Sequence, residues 1–310
     1  MLEIGVQTKS VVTDDNPEIG FQMLKKAGFT CCDFSLNSYL YNKDIYAENL
    51  NGFFSKDLSK LYEYFEPHKK AARNAGIRIN QMHMPYPVYV HTASEEVNKY
   101  LWENIPMKSM EICKFLECPN IVIHGLKLEQ YLGTEEAEWE KTAEFLNKIA
   151  PFAAINNITI CMENLYEGKP GHLVEGPGCD VRKAVARIDK FNSRYGADVL
   201  GFCFDIGHAN IVHLDFYDFI TTLGPRLKVL HLHDNDGVYD LHQIPFTFTR
   251  TRENTSATNW EGFIQALHDI KFEGVLSFET APVLDSFPTE MKEDVLSFIH
   301  KIGKYLAEKI

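Results

Sequence analysis

The chain has 310 residues, 45% of them apolar and 24% charged, with a formal charge of −12. No apolar run approaches the roughly 20 residues of a membrane span, and the opening MLEIGVQTKS lacks the basic and apolar regions of a secretory leader. The acidic balance argues against a protein that grips a nucleic-acid backbone, and seven scattered cysteines without a CxxC pair point to a reducing, cytoplasmic setting.

Short apolar runs occur at 4–8, 31–36, 77–83, 120–124, 158–163, 200–205, 228–233 and 275–280. Each is rich in β-branched or large apolar residues, as buried parallel strands are. Helix signals fill the intervals. Asn16-Pro17 opens a helix that ends at Gly28, and Ser55 opens an amphipathic one that ends at Gly76. Further helices are expected over 94–117 (with Pro106 as a candidate kink), 134–157, 180–196, 215–223, 259–271 and 289–308. A strand followed by a helix, eight times over, predicts an α/β fold: a single (β/α)8 TIM barrel spanning residues 1–310, with a doubly wound open sheet as the alternative.

The irregular stretches 37–54 and 235–258 follow the second and seventh runs, and loops after strands line the active face of a barrel. The segment GKPGHLVEGPG, with Gly171, Gly176 and Gly178, matches no phosphate-binding fingerprint and reads as a flexible loop and candidate lid.

Six runs finish on residues that bind metals: His83, His124, Glu163, Asp205 (then His208), His231 with His233, and Glu279. Strand side chains alternate between faces. Two positions back on the same face stand Gln81, Val122, Cys161, Cys203, Val229 and Ser277, none bulky. The opposite parity holds Met82, Ile123, Met162, Phe204, Leu230 and Phe278, all large and suited to packing against helices. The imidazoles and carboxylates therefore share the inward parity and converge at the barrel mouth. Carboxylates crowded there need a cation. Mixed His and carboxylate ligands suit Mn²⁺, Zn²⁺, Co²⁺ or Fe²⁺ better than Ca²⁺.

Each of these residues also has a plainer reading. His83 and His124 read equally as inward histidines that shape the pocket, and His208 as a cap of the helix after Asp205. His233 reads as a support for the metal ligands. Asp240 and His242 form an Asp-x-His step in the loop after the seventh run, where a solvated loop is the plain alternative. His68, His91, His172, His213, His268 and His300 fall on helices or loops and read as structural, and Trp260 as packing.

The motifs HMPY at 83–86, IHG at 123–125, MEN at 162–164, FDIGHAN at 204–210, HLHDNDG at 231–237, DLH at 240–242 and GVLSFET at 274–280 span nearly the whole chain. Through them the chain resembles the xylose isomerase-like barrel superfamily, in particular its sugar phosphate isomerase/epimerase group. The resemblance implies one divalent metal ion held by Glu163, Asp205, His231 and Glu279, with Asp234 supporting the choice of His231 and His233 as its rival. It implies that Glu163 and Glu279 act as catalytic acid and base on opposite faces of a sugar, sugar phosphate or cyclitol. His208 and His124 would orient substrate oxygens, and His83, His233, Asp240 and His242 would bind substrate or additional metal.

The three-zinc AP endonucleases of the endonuclease IV type share this barrel. Their nine ligand positions map onto His83, His124, Glu163, Asp205, His208, His231, Asp240, His242 and Glu279. Up to three ions and a phosphoesterase activity on abasic DNA therefore stand as the alternative, with a non-catalytic sugar-binding barrel as a third. Keto-sugar epimerases of the group carry an arginine where this chain has Gly237, and the next arginines are Arg250 and Arg252. The substrate therefore need not be a free ketohexose. The expected partner is a small carbohydrate rather than nucleic acid or a membrane, and a homo-oligomer is compatible with the fold.

Overall fold

Side-chain caps set the helix starts. Asn16, Ser94, Asp180, Asp215 and Asn259 each accept a hydrogen bond from the amide three residues on, satisfying a donor that the first turn leaves free. They open α1 (Pro17–Ala27), α4 (Glu95–Phe115), α6 (Val181–Asn192), α8 (Phe216–Leu223) and α9 (Trp260–Asp269). Gly28 and Gly76, at φ of 106° and 67°, end α1 and α3 (Leu58–Ala75) in the left-handed conformation that glycine adopts without strain. The remaining helices are α2 (Asn42–Tyr46), α5 (Glu135–Asn156), α7 (Ile206–Ile211), α10 (Ala281–Ser286) and α11 (Lys292–Lys309). The computed structural model describes residues 2–128, 134–169, 171–248 and 257–310.

The sheet strands are β1 (Glu3–Gln7), β2 (Cys31–Phe34), β3 (Arg78–His83), β4 (Asn120–His124), β5 (Thr159–Glu163), β8 (Leu200–Asp205), β9 (Leu227–His231) and β10 (Val275–Phe278). They pair in parallel in the order β10-β1-β2-β3-β4-β5-β8-β9. The two edges meet just past β9, where the Leu232 amide donates to the Ser277 carbonyl at 2.8 Å and the Glu279 amide donates to the Leu232 carbonyl at 3.0 Å. The sheet is thus a closed (β/α)8 barrel, as the alternation of runs predicts, and not an open doubly wound sheet.

Two separate apolar layers follow from the strand parity. Val122, Cys161, Cys203 and Val229 form a small buried cluster of their own, inside the barrel. Met82, Ile123, Met162, Phe204, Leu230 and Phe278 belong to the large core between sheet and helices. Each fully buried side chain of that size contributes roughly 1.5–3 kcal/mol. The inner cluster is small because the barrel mouth above it is given over to polar residues.

Two local expectations are corrected. Ser55 does not open α3; it closes a 3-10 turn, Phe53–Ser55, and Asp57 takes the position before the helix. The stretch containing Gly168, Gly171 and Gly176 is not a plain loop but carries an antiparallel hairpin, β6 (Tyr166–Lys169) with β7 (His172–Glu175). Its ladder hydrogen bonds outweigh the turn-forming composition. Helix α4 runs on through Pro106. Arg250 and Arg252 lie outside the described residues.

Candidate metal centre

Register places the polar strand ends side by side. His124 of β4 stands opposite Glu163 of β5, and Asp205 of β8 stands opposite His231 of β9. Glu279 follows β10 directly and is fixed by Gln7, whose Nε2 donates to Glu279 Oε1 at 2.6 Å. Asp205 also caps α7, its Oδ1 accepting from the His208 amide at 2.6 Å. The same cap turns His208 back over the mouth.

The side chains then converge. His231 Nδ1 lies 3.2 Å from Glu163 Oε1, 3.3 Å from Glu279 Oε2 and 3.8 Å from Asp205 Oδ2. Donor atoms of Asp205, His231 and Glu279 all fall within 4.8 Å of one another. On one flank, His83 Nε2 and His124 Nε2 approach the same oxygen, Glu163 Oε2, at 3.3 and 3.2 Å. On the other, His208 Nε2 and His242 Nε2 approach Asp240 Oδ2 at 3.3 and 3.2 Å. His83, His124, Glu163, Asp205, His208, His231, Asp240, His242 and Glu279 are thereby brought into one cluster.

The two histidines of HLH take different places. His233 does not reach Glu163. Its Nε2 sits 3.1 and 3.2 Å from the two Asp205 oxygens, and its ring stacks on His242 with centroids 4.0 Å apart. It rests on Gly207, where a Cβ would come within 1.9 Å of its Cε1.

Further residues complete the cluster. Asp33, fully buried on β2, lies with Oδ2 3.4 Å from His231 Nε2. It sits at the inward parity of the second run, and that parity is the one clue that points to it. Asn164 locks β5 to β8: its Nδ2 donates to the Asp205 carbonyl, its Oδ1 accepts from the Asp205 amide, and its carbonyl meets His208 Nδ1 at 2.9 Å. Tyr86 stacks on His124 with ring centroids 3.7 Å apart.

Electrostatics distinguish the members. Burial opposes ionisation of Glu163, but the neighbouring His231, His124 and His208 hold it well below the usual carboxylate range. Burial likewise works against the Glu279 carboxylate, and His231 and His242 bring it down to about 2. Burial lowers His124 to about 4, against the pull of Glu163. His208 and His242 go the other way. Burial disfavours their protonation, yet Asp205 and Asp240 raise the first well above its normal value, and Asp240 raises the second to about 10. The carboxylates thus draw positive charge into the mouth, a demand that protons or a cation satisfy. Buried Asp240 Oδ1 and His233 Nδ1 have no hydrogen-bond partner among the described residues. This donor set fits a divalent ion bound by nitrogen and oxygen.

A cavity of about 660 Å³ opens from the cluster, with His124, His208 and Asp240 on its inner wall. His91, which the sequence places among structural histidines, also lines it.

Comparison with known proteins agrees with this architecture. Among curated proteins, the chain is 22% identical over 204 residues to an uncharacterised protein of Sinorhizobium fredii, covering 63% of this chain and 60% of the relative. It is 27% identical over 167 residues to an uncharacterised protein of Methanocaldococcus jannaschii, covering 54% and 55%. The chain therefore spans somewhat over half the length of these relatives. Solved structures with the same fold include a D-psicose 3-epimerase in the presence of D-fructose (TM-score 0.66, 16% identity, 99% of each chain). Others are a D-allulose 3-epimerase from Methylomonas sp. in complex with D-allulose (0.68, 14%, 98% of this chain and 96% of the other) and a 3-keto-D-glucoside 4-epimerase from E. coli (0.65, 14%, 97% and 100%). The family model described as xylose isomerase-like TIM barrel matches residues 21–299, and the chain belongs to that family.

Proposed function

We propose that this protein is a divalent-metal-dependent isomerase or epimerase acting on a sugar, sugar phosphate or cyclitol by proton transfer through an enediolate. The observation that carries the reading is the approach of two carboxylates, buried Glu163 and partly exposed Glu279, to His231 Nδ1 at 3.2 and 3.3 Å. The epimerases of the same fold, acting by their names on D-psicose, D-allulose and a 3-keto-D-glucoside, support it.

In this reading Glu163, Asp205, His231 and Glu279 hold the ion, which is Mn²⁺, Zn²⁺, Co²⁺ or Fe²⁺ by ligand type. A bound ion supplies Lewis-acid polarisation of the substrate carbonyl. One of Glu163 and Glu279 takes the proton from the carbon beside that carbonyl, and the other returns a proton to the opposite face. Gln7 keeps Glu279 aimed inward through its 2.6 Å hydrogen bond. His208 and His124 orient substrate hydroxyls at the inner wall of the cavity. Solvent-deuterium exchange into a panel of keto-sugars and inososes tests the reaction; no exchange into any of them, with the metal loaded, would count against it.

His233 and Asp33 act in this reading by holding ligands in place, His233 on Asp205 and Asp33 behind His231. A carboxylate behind a ligating imidazole typically changes metal affinity by roughly 10–100-fold. Asp33→Asn is therefore expected to weaken metal binding by about that factor. Titration with a competing chelator measures it, and unchanged affinity would remove Asp33 from the site.

A second reading has its own observation. His83 with His124, and His208 with His242, each pinch a single carboxylate oxygen on opposite flanks of the central group. That arrangement offers two further cation positions and would suit a three-zinc phosphoesterase on abasic DNA. Metal analysis of the purified chain separates the two readings: about one ion per chain is expected for the isomerase, about three for the phosphoesterase. The net charge of −12 favours the former. We read residues 1–310 as one domain. All seven cysteines are free and buried, which supports a reducing, cytoplasmic setting. No helix among the described residues is long and apolar enough to cross a membrane.

A further inference from the structure

We propose that the cavity beside the metal centre is a built subsite for a second, neutral sugar ring, so that the substrate is a carbonyl sugar bearing a glycosidic extension. This rests on the isomerase reading, which places the reacting end of the substrate against Glu163 and Glu279.

The cavity is longer than the catalytic cluster. From His124, His208 and Asp240 it runs outward to Tyr46 of α2, which is itself exposed. Its volume of about 660 Å³ falls in the range of roughly 300–1,000 Å³ of pockets that bury drug-sized ligands. Segments after six barrel strands contribute to its walls, which carry Tyr46, Tyr86, Tyr89 and Tyr166. Such rings offer an apolar face and a polar edge, and that combination matches the C–H face and hydroxyl rim of a pyranose.

Glu167 supplies the more specific observation. It lines the cavity and is only 8% exposed, and its Oε1 has no hydrogen-bond partner among the described residues. A buried acceptor left in that condition costs roughly 1–3 kcal/mol, so a position that keeps one is suited to a ligand that supplies the bond. Burial pushes the Glu167 carboxyl up to about 7, against the opposing field of Lys127. Near neutral pH it therefore exists in both forms and can accept from a hydroxyl or donate to one.

Lys127 shapes the charge preference. It lies on the same wall, its Nζ donates to the Tyr166 carbonyl, and Glu167 and Glu138 both act on it electrostatically. Of these two carboxylates, Glu167 stands in the cavity wall with it. No arginine lines the cavity among the described residues. A phosphate would meet the carboxyl groups of Glu167 and Asp240 in this lining, whereas a hydroxylated neutral ring meets donors and acceptors.

The test uses the metal-loaded full chain and calorimetric titration with D-fructose, fructose 6-phosphate and three neutral keto-disaccharides of different linkage: turanose, lactulose and isomaltulose. At least one disaccharide is expected to bind about tenfold more tightly than fructose, equivalent to ~1.4 kcal/mol. Glu167→Ala and Tyr89→Ala should each erase that preference and leave fructose affinity unchanged. The subsite is overturned if no disaccharide outbinds fructose, if the preference survives both variants, or if fructose 6-phosphate gains most. Solvent-deuterium exchange measured in parallel keeps the two ideas apart. Exchange into fructose with no disaccharide preference sinks the subsite alone, whereas a disaccharide preference without exchange into any of the sugars sinks the isomerase reading.

Discussion

Glu163→Gln is expected to lower proton exchange into substrate by roughly 10²–10⁴-fold, the contribution of a positioned acid–base group, and to weaken metal binding as well. The substitution removes the charge that His83, His124, His208 and His231 all face, at 3.3, 3.2, 3.3 and 3.2 Å. No other carboxylate in the cluster meets four imidazoles. Circular dichroism should show an intact barrel, because Gln keeps the volume of Glu on a strand whose ladder is made by the backbone. Two outcomes would be informative against the proposal. Full exchange activity would remove Glu163 from the chemistry. Undiminished sugar affinity, with no turnover by the unaltered protein on any panel, would instead identify a binding protein.

Gly207→Ala should give the second large effect, from a residue that bears no chemistry. A Cβ there would stand 1.9 Å from Cε1 and 2.5 Å from Nδ1 of His233. The ring has no easy retreat, because it is fully buried and its far face is stacked on His242 at 4.0 Å. Overpacking of this kind costs roughly 1–3 kcal/mol. A displaced His233 also releases the Asp205 oxygens it now holds at 3.1 and 3.2 Å, so metal affinity should fall by roughly 10–100-fold. Thermal unfolding with and without added Mn²⁺ reads both effects. A variant as stable as the parent, with the same metal-induced shift, would show that the contact with Gly207 is dispensable.

Much of this architecture is legible in the sequence because strand parity is a strict rule. Cys161 and Glu163 point one way and Met162 the other, and the structure separates them into the inner cluster and the outer core accordingly. The same rule brings His83, His124, Asp205, His231 and Glu279 together without reference to any relative. It is weaker where a strand ends on nothing ionisable. β2 finishes at Phe34, so Asp33, one residue earlier, stands out only once closure brings His231 within 3.4 Å of it. The β6–β7 hairpin is obscured for a different reason: its glycines suit a loop as well as a tight ladder, and pairing such as Tyr166 with Glu175 is a tertiary fact. His233 illustrates a third limit. It shares parity and residue type with His231, and the two are distinguished by their neighbours, Gly207 and Asp205 for His233, rather than by the strand itself.

The bond from Gln7 to Glu279 joins residues 272 positions apart, and β1 lies between β10 and β2. On the ribosome, Gln7 is made 272 residues before Glu279. The centre therefore cannot assemble from a partial chain, since one of its carboxylates and the strand that closes the barrel both arrive late. Contacts of such sequence separation slow folding. A cation present during synthesis would meet an incomplete set of the proposed ligands until Glu279 has been made.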